Sequence, residues 1–217
     1  MARRTYHGTC LLCGKKSTKA GIARHLKGCV VAHQAEETKA KSGDLVHLRV
    51  ESTYSPLYWL DIELPGERTL QHLDQFLRAE WVECCGHLSS FSILPRSYGD
   101  GYGDRSMDLA LKRVLPEPGI AFTYEYDFGS TTHLTLRVVG WRRGSIPKEL
   151  VRILARNEPP VWRCVVCGQP AEWICSFCFD EPEPFYCDEH GAEHECGEEG
   201  LMPVVDSPRM GVCGYGF

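Results

Sequence analysis

Cysteine and histidine residues near the C-terminus have the spacing of metal ligands. Two C-x-x-C pairs, one C-x-x-H pair and one H-x-C pair fall between residues 164 and 196. Eight such side chains are what two Zn²⁺ ions need, since a structural zinc site is filled by four Cys or His ligands. The sequence therefore predicts two zinc ions bound by Cys164, Cys167, Cys175, Cys178, Cys187, His190, His194 and Cys196.

Two pairings of these eight ligands are open. Neighbouring pairs could bind one ion each, or the first and third pairs could bind one ion and the second and fourth pairs the other. We favour the interleaved pairing, because the segment has few large apolar residues and interlocked sites would join it into one unit. That arrangement resembles cross-brace zinc modules of the B-box type. Four protein ligands per ion predict structural sites, not catalytic ones.

A third ligand set stands near the N-terminus. It has the pattern C-x2-C-x11-H-x3-C and consists of Cys10, Cys13, His25 and Cys29. A helix in this segment would place His25 and Cys29, four residues apart, on one face. The pattern resembles a C2H2 zinc finger with Cys29 in place of the last histidine. It brings the expected number of zinc ions to about three.

The charges of the two ends are opposite in sign. Residues 1–41 carry nine Lys or Arg and two Glu, whereas residues 157–217 carry two basic and twelve acidic side chains. Phosphate binding requires cationic side chains, so the N-terminal finger is the candidate contact for DNA or RNA. The candidate residues are Lys15, Lys16, Lys19, Arg24 and Lys27. For the acidic end we expect a protein partner, although both charged faces could simply be solvated.

No feature of the sequence predicts a membrane or secreted protein. No apolar run approaches the roughly 18–20 residues of a membrane-spanning helix. The N-terminus has basic residues but no apolar stretch of a signal peptide. We therefore expect a cytoplasmic protein, whose twelve cysteines bind metal in a reducing compartment and do not form disulfides.

The residues between the two charged ends must position the metal-binding segments, and their apolar residues alternate as in β-strands. Alternating apolar residues predict five strands in hairpins, and in one of them Asp61 and Glu63 face away from a half-buried apolar side. Helical spacing predicts a helix over 70–81, a short one over 106–115 and a last one over 147–156. The expectation is an α+β domain with an antiparallel sheet over 44–156, between a finger and linker over 1–41 and a zinc module over 161–217.

Two motifs of the middle domain carry a family resemblance. A helix leads to Trp81 and then to a His-Leu-x-x-Phe strand that begins at His87. Further on, the hairpin sequence Asp127-Phe128-Gly129 is followed by His133. Over residues 44–141 the chain resembles the plasmid pRiA4b ORF-3-like family, also labelled transposon-passenger TnpR-like. The resemblance implies the fold, and it implies no particular activity.

A further group of reactive side chains lies in this domain. Cys84, Cys85 and His87 are close in sequence, and two of them could share a metal with His133 or form a Cys/His nucleophilic pair. We favour buried cysteines and histidines hydrogen-bonded in the core, because no C-x-x-C spacing enforces chelation here. Cys213, in the C-terminal tail, is expected to be a bystander.

Three functional hypotheses follow. The first is a non-enzymatic accessory or regulatory zinc protein that contacts nucleic acid through the finger and a protein through the acidic module. The second is a protein-interaction adapter in which every zinc is structural. The third is an enzyme that uses Cys84, Cys85, His87, Asp127 and His133.

Overall fold

A large antiparallel sheet dominates the first of two compact units, which comprises Met1–Arg78 and Leu88–Glu158. The computed structural model describes residues 6–33, 42–99, 104–146, 151–178 and 184–216. In these ranges the sheet has nine strands in the order β2-β1-β9-β4-β3-β8-β7-β5-β6. The strands are β1 (His7–Cys10), β2 (Lys16–Thr18), β3 (Gly43–Ser52), β4 (Trp59–Pro65), β5 (Ser89–Ile93), β6 (Arg96–Gly99), β7 (Ala121–Tyr126), β8 (Thr132–Gly144) and β9 (Arg152–Asn157). The predicted α+β class with an antiparallel sheet is confirmed.

The strand β4 is buried along both faces, which the sequence pattern did not predict. Asp61 and Glu63 are each only 1% exposed. Arg142 donates from Nε to Oε1 of Glu63 at 2.6 Å, and Arg152 donates from Nη2 to Oε2 at 2.6 Å. The arginine stems cover the acidic face while their guanidinium groups neutralise it, so that face counts as polar in sequence but is buried in the fold.

Asp61 is held by a second set of cations. Nε2 of His47 lies 2.8 Å from Oδ1 of Asp61, and Arg49 donates from Nε to the same oxygen at 3.0 Å. Burial alone raises the pKa of this carboxyl, but His47 and Arg49 together lower it below the ordinary value of 3.8. The carboxylate therefore stays ionised inside the sheet.

The helix α1 (Lys19–Ala32) joins the N-terminal segment to this sheet. Oγ1 of Thr18 caps the helix by accepting from the Gly21 N–H at 3.1 Å. The buried face of α1 packs with Trp59, Leu154 and Ala155 in one core. Since β1 also pairs with β9, the segment treated in sequence as a separate finger over 1–41 shares its sheet and core with the central domain. Residues 34–41, the expected linker, lie outside the described residues.

Two further helices belong to the middle of the chain. The helix α2 (Leu70–Leu77) continues into a π-helical turn at Arg78–Val82, so the helix predicted over 70–81 is confirmed. The helix α3 (Leu111–Val114) lies within the short helix predicted over 106–115. The helix predicted over 147–156 is wrong in its described part, because residues 152–157 form β9 between β1 and β4. Pairing on both sides outweighs the local helical preference of this stretch.

The second unit comprises Ala79–His87 and Pro159–Phe217. Its described part has a three-stranded sheet in the order β11-β10-β12 and the helix α4 (Asp188–Ala192). The strands are β10 (Trp173–Cys175), β11 (Phe185–Tyr186) and β12 (Leu201–Pro203). One core cluster of this unit has Cys175, Tyr186 and Leu201 buried, and the unit's other buried apolar residues include Trp81, Val82, Cys164, Phe185 and Met202. A core this small needs another source of stability.

Within the described ranges, no helix is long and apolar enough to cross a lipid bilayer.

Candidate metal centres

The cysteines of this chain converge in four groups, each made of three Cys and one His. Within each group the ligand atoms all lie within 4.8 Å of one another. The twelve cysteines of the sequence are used up by these groups, three in each. We call them the N-terminal cluster (Cys10, Cys13, His25, Cys29), the first C-terminal cluster (Cys164, Cys167, Cys187, His190), the second C-terminal cluster (Cys175, Cys178, His194, Cys196) and the fourth cluster (Cys84, Cys85, His87, Cys213). Each could hold a metal ion.

The sulfur–sulfur distances fit a shared ion and exclude disulfides. The Sγ atoms of Cys10 and Cys29 are 3.8 Å apart, and the pairs Cys167–Cys187 and Cys178–Cys196 are both 3.7 Å apart. A disulfide bond would bring two sulfurs to about 2.05 Å. Two thiolates at about 2.3 Å from one tetrahedral Zn²⁺ lie about 3.8 Å apart.

The N-terminal cluster begins with a tight knuckle. The Gly14 N–H donates to the carbonyl of Cys10 at 2.8 Å, and the Cys10 N–H donates to the carbonyl of Lys15 at 2.9 Å. Gly14 has a φ of 75°, a conformation that favours glycine. The helix α1 supplies the other two ligands one turn apart, and Nε2 of His25 lies 3.2 Å from Sγ of Cys13. The local sequence thus brings all four donors to one point.

The first C-terminal cluster repeats this knuckle. The Gly168 N–H donates to the carbonyl of Cys164 at 2.9 Å, and the Cys164 N–H donates to the carbonyl of Gln169 at 2.8 Å. The start of α4 supplies the second pair of ligands, with Nδ1 of His190 3.2 Å from Sγ of Cys187. Burial raises the pKa of the Cys164 thiol, but backbone N–H groups, that of Cys187 foremost, lower it to about 6. A thiol with a lowered pKa ionises more readily, and the thiolate is the form that binds a metal ion.

The second C-terminal cluster takes Cys175 from the end of β10, Cys178 from just after it, and His194 and Cys196 from beyond α4. Nε2 of His194 lies 3.4 Å from Sγ of Cys178, and its ring stacks on Tyr186 with centroids 4.3 Å apart. The grouping of the eight C-terminal ligands is the interleaved one, because the first C-terminal cluster combines the first and third pairs and the second combines the second and fourth.

In three of these clusters, neighbouring thiols oppose the ionisation of one cysteine. The pKa of Cys29 is raised to about 12 by burial and by the thiols of Cys13 and Cys10. Burial, then the thiols of Cys175 and Cys196, raise the pKa of Cys178 to about 12. In the fourth cluster, contact with Cys84 and Cys213 raises the pKa of Cys85 to about 12. A divalent cation at the centre of each cluster would let all three thiols ionise together.

The fourth cluster corrects two expectations from sequence. Cys85 is exposed and Cys84 half-buried, so they are not buried core residues, and Cys213, expected to be a bystander, lies within the same cluster. Sγ of Cys85 lies 3.7 Å from Sγ of Cys84 and 3.7 Å from Sγ of Cys213. Nε2 of His87 lies 3.0 Å from Sγ of Cys85 and 3.3 Å from Sγ of Cys213. Local spacing could not reveal a ligand so far away in sequence; the signal was the repeated set of three Cys and one His.

The other two residues of the enzyme hypothesis have different surroundings. Nδ1 of His133 lies 3.4 Å from Oε1 of Glu125, and its ring meets that of Tyr54 edge-on at 5.3 Å. Oδ1 of Asp127 accepts from the Gly129 N–H at 3.0 Å, and Asp127 itself has a φ of 64°. Asp127 thus shapes the β7–β8 hairpin, a structural role.

The five basic residues singled out in the N-terminal segment differ in their contacts. Nζ of Lys16 lies 3.0 Å from Glu158, and Nζ of Lys19 lies 2.9 Å from Glu51. The remaining three, Lys15, Arg24 and Lys27, are exposed, and no ion pair to them is found within the described part of the chain. Fewer basic side chains can therefore contact an external anion than the charge count of this segment suggests.

Comparison with known proteins gives no identity. No family model and no curated protein matches the chain. A crystal structure of a protein of unknown function from Methanosarcina mazei Go1 is similar over 51% of this chain and 67% of its own, with 21% sequence identity and a TM-score of 0.43. A similarity at this level carries no argument about fold or function, and the pRiA4b ORF-3-like resemblance stays a prediction.

Proposed function

We propose that this chain is a non-enzymatic zinc-binding accessory protein, whose metal ions crosslink the fold and whose N-terminal basic face contacts nucleic acid. The observation that carries the proposal is the donor set, with three Cys and one His in every cluster. Thiolate-rich tetrahedral sets favour Zn²⁺ over the oxygen-preferring cations. Four protein ligands leave no coordination position for water or substrate, as in structural zinc sites.

The small core of the second unit supports a structural role for zinc. The cluster of Cys175, Tyr186 and Leu201 has the half-buried Trp173, Cys178 and Cys196 packed against it. Three members of that set are themselves cysteines of the second C-terminal cluster. The second unit buries far fewer large apolar side chains than the first, so metal binding would add stability that apolar burial supplies in the first unit.

The face of α1 that points away from the sheet supports the nucleic-acid contact. Ile22, Leu26 and Val30 bury the inner face of the helix. Arg24 and Lys27 stand three residues apart on the outer side, and both are exposed. Together with Lys15 at the knuckle they offer three cations that could approach phosphates. Such a contact is sequence-independent and salt-sensitive.

A charge-neutralising variant tests this contact. For K15Q/R24Q/K27Q we expect loss of DNA and RNA binding, measured by fluorescence anisotropy on short duplexes and single strands. Three phosphate contacts predict that wild-type affinity for a duplex falls roughly 40-fold between about 50 and 200 mM salt.

The control for this test is K16Q, which removes a cation of the same segment that is paired with Glu158. This variant should keep both the affinity and the salt dependence. Binding by the triple variant that equals wild type, or no binding by wild type even at low salt, would overturn the nucleic-acid proposal while leaving the structural role of zinc intact.

Features of the second unit favour a second candidate, a protein-interaction adapter. Val165 and Val166, in the first C-terminal knuckle, are 57% and 62% exposed, and Phe177, in the second, is 57% exposed. A cavity of about 410 Å³ in the same unit is lined by Trp173, Asp188, Ala192, Glu198 and Leu201. An indole flanked by two carboxylates suits the side chain of Lys or Arg. The partner of this candidate is a basic peptide segment.

Peptide binding separates the adapter from the first candidate. The full chain should bind Lys- and Arg-containing peptides, and D188N/E198Q should weaken that binding at least several-fold. The control is E199Q, which removes an exposed neighbouring carboxylate outside the cavity lining. Equal weakening by both variants would indicate non-specific charge attraction and would count against the cavity as a site.

A further inference from the structure

We propose that Cys84, Cys85, His87 and Cys213 form a fourth zinc site, and that its ion is the exchangeable one of the four. The ligands come from two segments of the second unit, residues 79–87 and the C-terminal tail. Their donor set has the composition of the other three clusters. The Sγ distances of 3.7 Å from Cys85 to Cys84 and Cys213 match two edges of a zinc tetrahedron.

The segment that carries three of the ligands is shaped as a chelating turn. Gly86 has a φ of 80°, which reverses the chain between Cys85 and His87. The Gly86 N–H donates to Oε1 of Glu83 at 2.6 Å, and this hydrogen bond closes the turn. The result is that Nε2 of His87 lies 3.0 Å from Sγ of Cys85. The positions of Cys85 and His87 are therefore set by the Gly86–Glu83 hydrogen bond of the turn, and not by the cluster alone.

The tail that carries Cys213 is anchored independently. Oγ of the buried Ser207 donates to the carbonyl of Trp81 at 2.6 Å and accepts from the Arg209 N–H at 2.9 Å. Cys213 has a φ of 53°, a left-handed conformation that a residue with a side chain adopts only when other contacts stabilise it. Coordination of an ion by its sulfur would be such a contact.

A buried cation complements the charge of the proposed site. Zn²⁺ with three thiolates and a neutral imidazole carries a net charge of minus one. Arg209 is fully buried, and its Nη2 donates to Sγ of Cys84 at 3.4 Å. A hydrogen bond from a guanidinium to a ligating thiolate fixes its position and balances the charge. The site therefore includes, besides its four ligands, a buried cation that contacts one of them.

Exposure distinguishes this cluster from the others. Each of the other three contains at least one buried cysteine, namely Cys10 and Cys29, Cys164, and Cys175. The fourth cluster contains none, and Cys85 and Cys213 are both exposed. A competing ligand can therefore attack its ion directly from solvent, whereas each of the other ions would be covered on at least one side by a buried ligand. We infer that its ion leaves first.

The experiment is zinc counting and zinc release on the full chain. After zinc loading and removal of the excess, elemental analysis should find four zinc ions per chain. A chromogenic chelator should take one ion quickly and three slowly. The variant C213S should hold three ions and lack the fast phase. The matched control is H133A, which removes a partly exposed histidine outside every cluster. This variant should keep both the four zinc ions and the fast phase of zinc release.

Three results would overturn the proposal: three zinc ions in the wild type, four in C213S, or a fast phase that persists in C213S. A measurement on the wild type covers the case in which C213S does not fold. Cysteine alkylation followed by mass spectrometry should find Cys85 and Cys213 protected in the zinc-loaded chain and labelled first after brief chelation. Full labelling of both in the zinc-loaded chain would also overturn it. The outcome does not depend on whether nucleic acid is bound.

Discussion

The knuckles at Cys10–Gly14 and Cys164–Gly168 have nearly the same backbone geometry but lie in units of very different core size. Both close with the same two backbone hydrogen bonds, and Gly14 and Gly168 have φ values of 75° and 74°. Cys10, however, packs in a core with Trp59 and Leu154 beside a nine-stranded sheet. Around Cys164 there is a three-stranded sheet.

The difference teaches that one local metal motif can serve two structural purposes. In the first unit the sheet buries many large apolar side chains, so we expect it to fold without metal, and an ion in the N-terminal cluster would fasten only one edge of it. In the second unit the apolar core is small, and ions would take the place of the missing core. The following experiments test this contrast.

Metal removal should produce the largest effect. Chelation should unfold the second unit, since the apparent binding free energy of a structural zinc, about 10–16 kcal/mol, is comparable to the whole stability of a domain. Strands β3 and β8 of the first unit should stay folded. Hydrogen exchange resolved by mass spectrometry checks this, and protection of residues 173–175 in the metal-free chain would contradict the contrast.

A matched pair of ligand substitutions should show the next largest difference. C164S should strongly weaken the protection of β10 and β12, because it removes one of the few metal crosslinks that would stabilise the second unit. C10S should cost the first unit about 2–3 kcal/mol, the penalty of a buried polar group without a partner, and leave the sheet folded. Chemical denaturation with hydrogen exchange as readout measures both. Equal effects of the two variants would remove the proposed difference between the units.

The first unit should instead depend on its buried ion pairs. We expect E63Q to destabilise it by about 3 kcal/mol, because Arg142 and Arg152 would lose the carboxylate that neutralises them. The control E67Q breaks the exposed pair with Lys112 and should cost at most about 0.5 kcal/mol. Urea denaturation of both variants decides; a cost for E63Q no larger than that of the control would contradict the prediction.

The smallest effect concerns acid stability. Because the pKa of Asp61 is lowered below 3.8 in the folded chain, its contribution to stability is present above that pH and is lost as the pH falls through the folded pKa. D61N should therefore be less stable than wild type at neutral pH, by about 2 kcal/mol, and the difference should shrink below pH of about 3.8. Denaturation of both chains across this range measures it. A difference that is independent of pH would show that the charge of Asp61 is not the cause.

Short-range patterns in the sequence predicted what depends on short-range structure. C-x-x-C spacing fixes a knuckle through backbone hydrogen bonds, and the apolar spacing at Leu70, Leu73 and Leu77 fixes a helix face. The N-terminal, first and second C-terminal clusters could be assembled from such pieces, and the structure brings the predicted ligands together.

Long-range pairing explains what the sequence did not predict. Residues 152–157 have helical propensity, but their partners in β1 and β4 are far away in sequence and decide in favour of a strand. The same holds for Cys213, which is 128 residues from Cys85. Burial of Asp61 and Glu63 depends on arginines from other strands, β3 and β8, which an alternating pattern alone cannot reveal.

The second unit is discontinuous in sequence, since the chain leaves the first unit at the start of the π-helical turn, after Arg78, and returns to it at Leu88. A protease nick between the units, near residue 158, would therefore cut only one of three covalent connections. Because the tail holds the 79–87 segment through Ser207 and Trp81, the two fragments should still comigrate under native conditions. A gene fragment that encodes only residues 159–217 would lack three donors of the fourth cluster, so the unit has to be studied by nicking and reassembly of the whole chain.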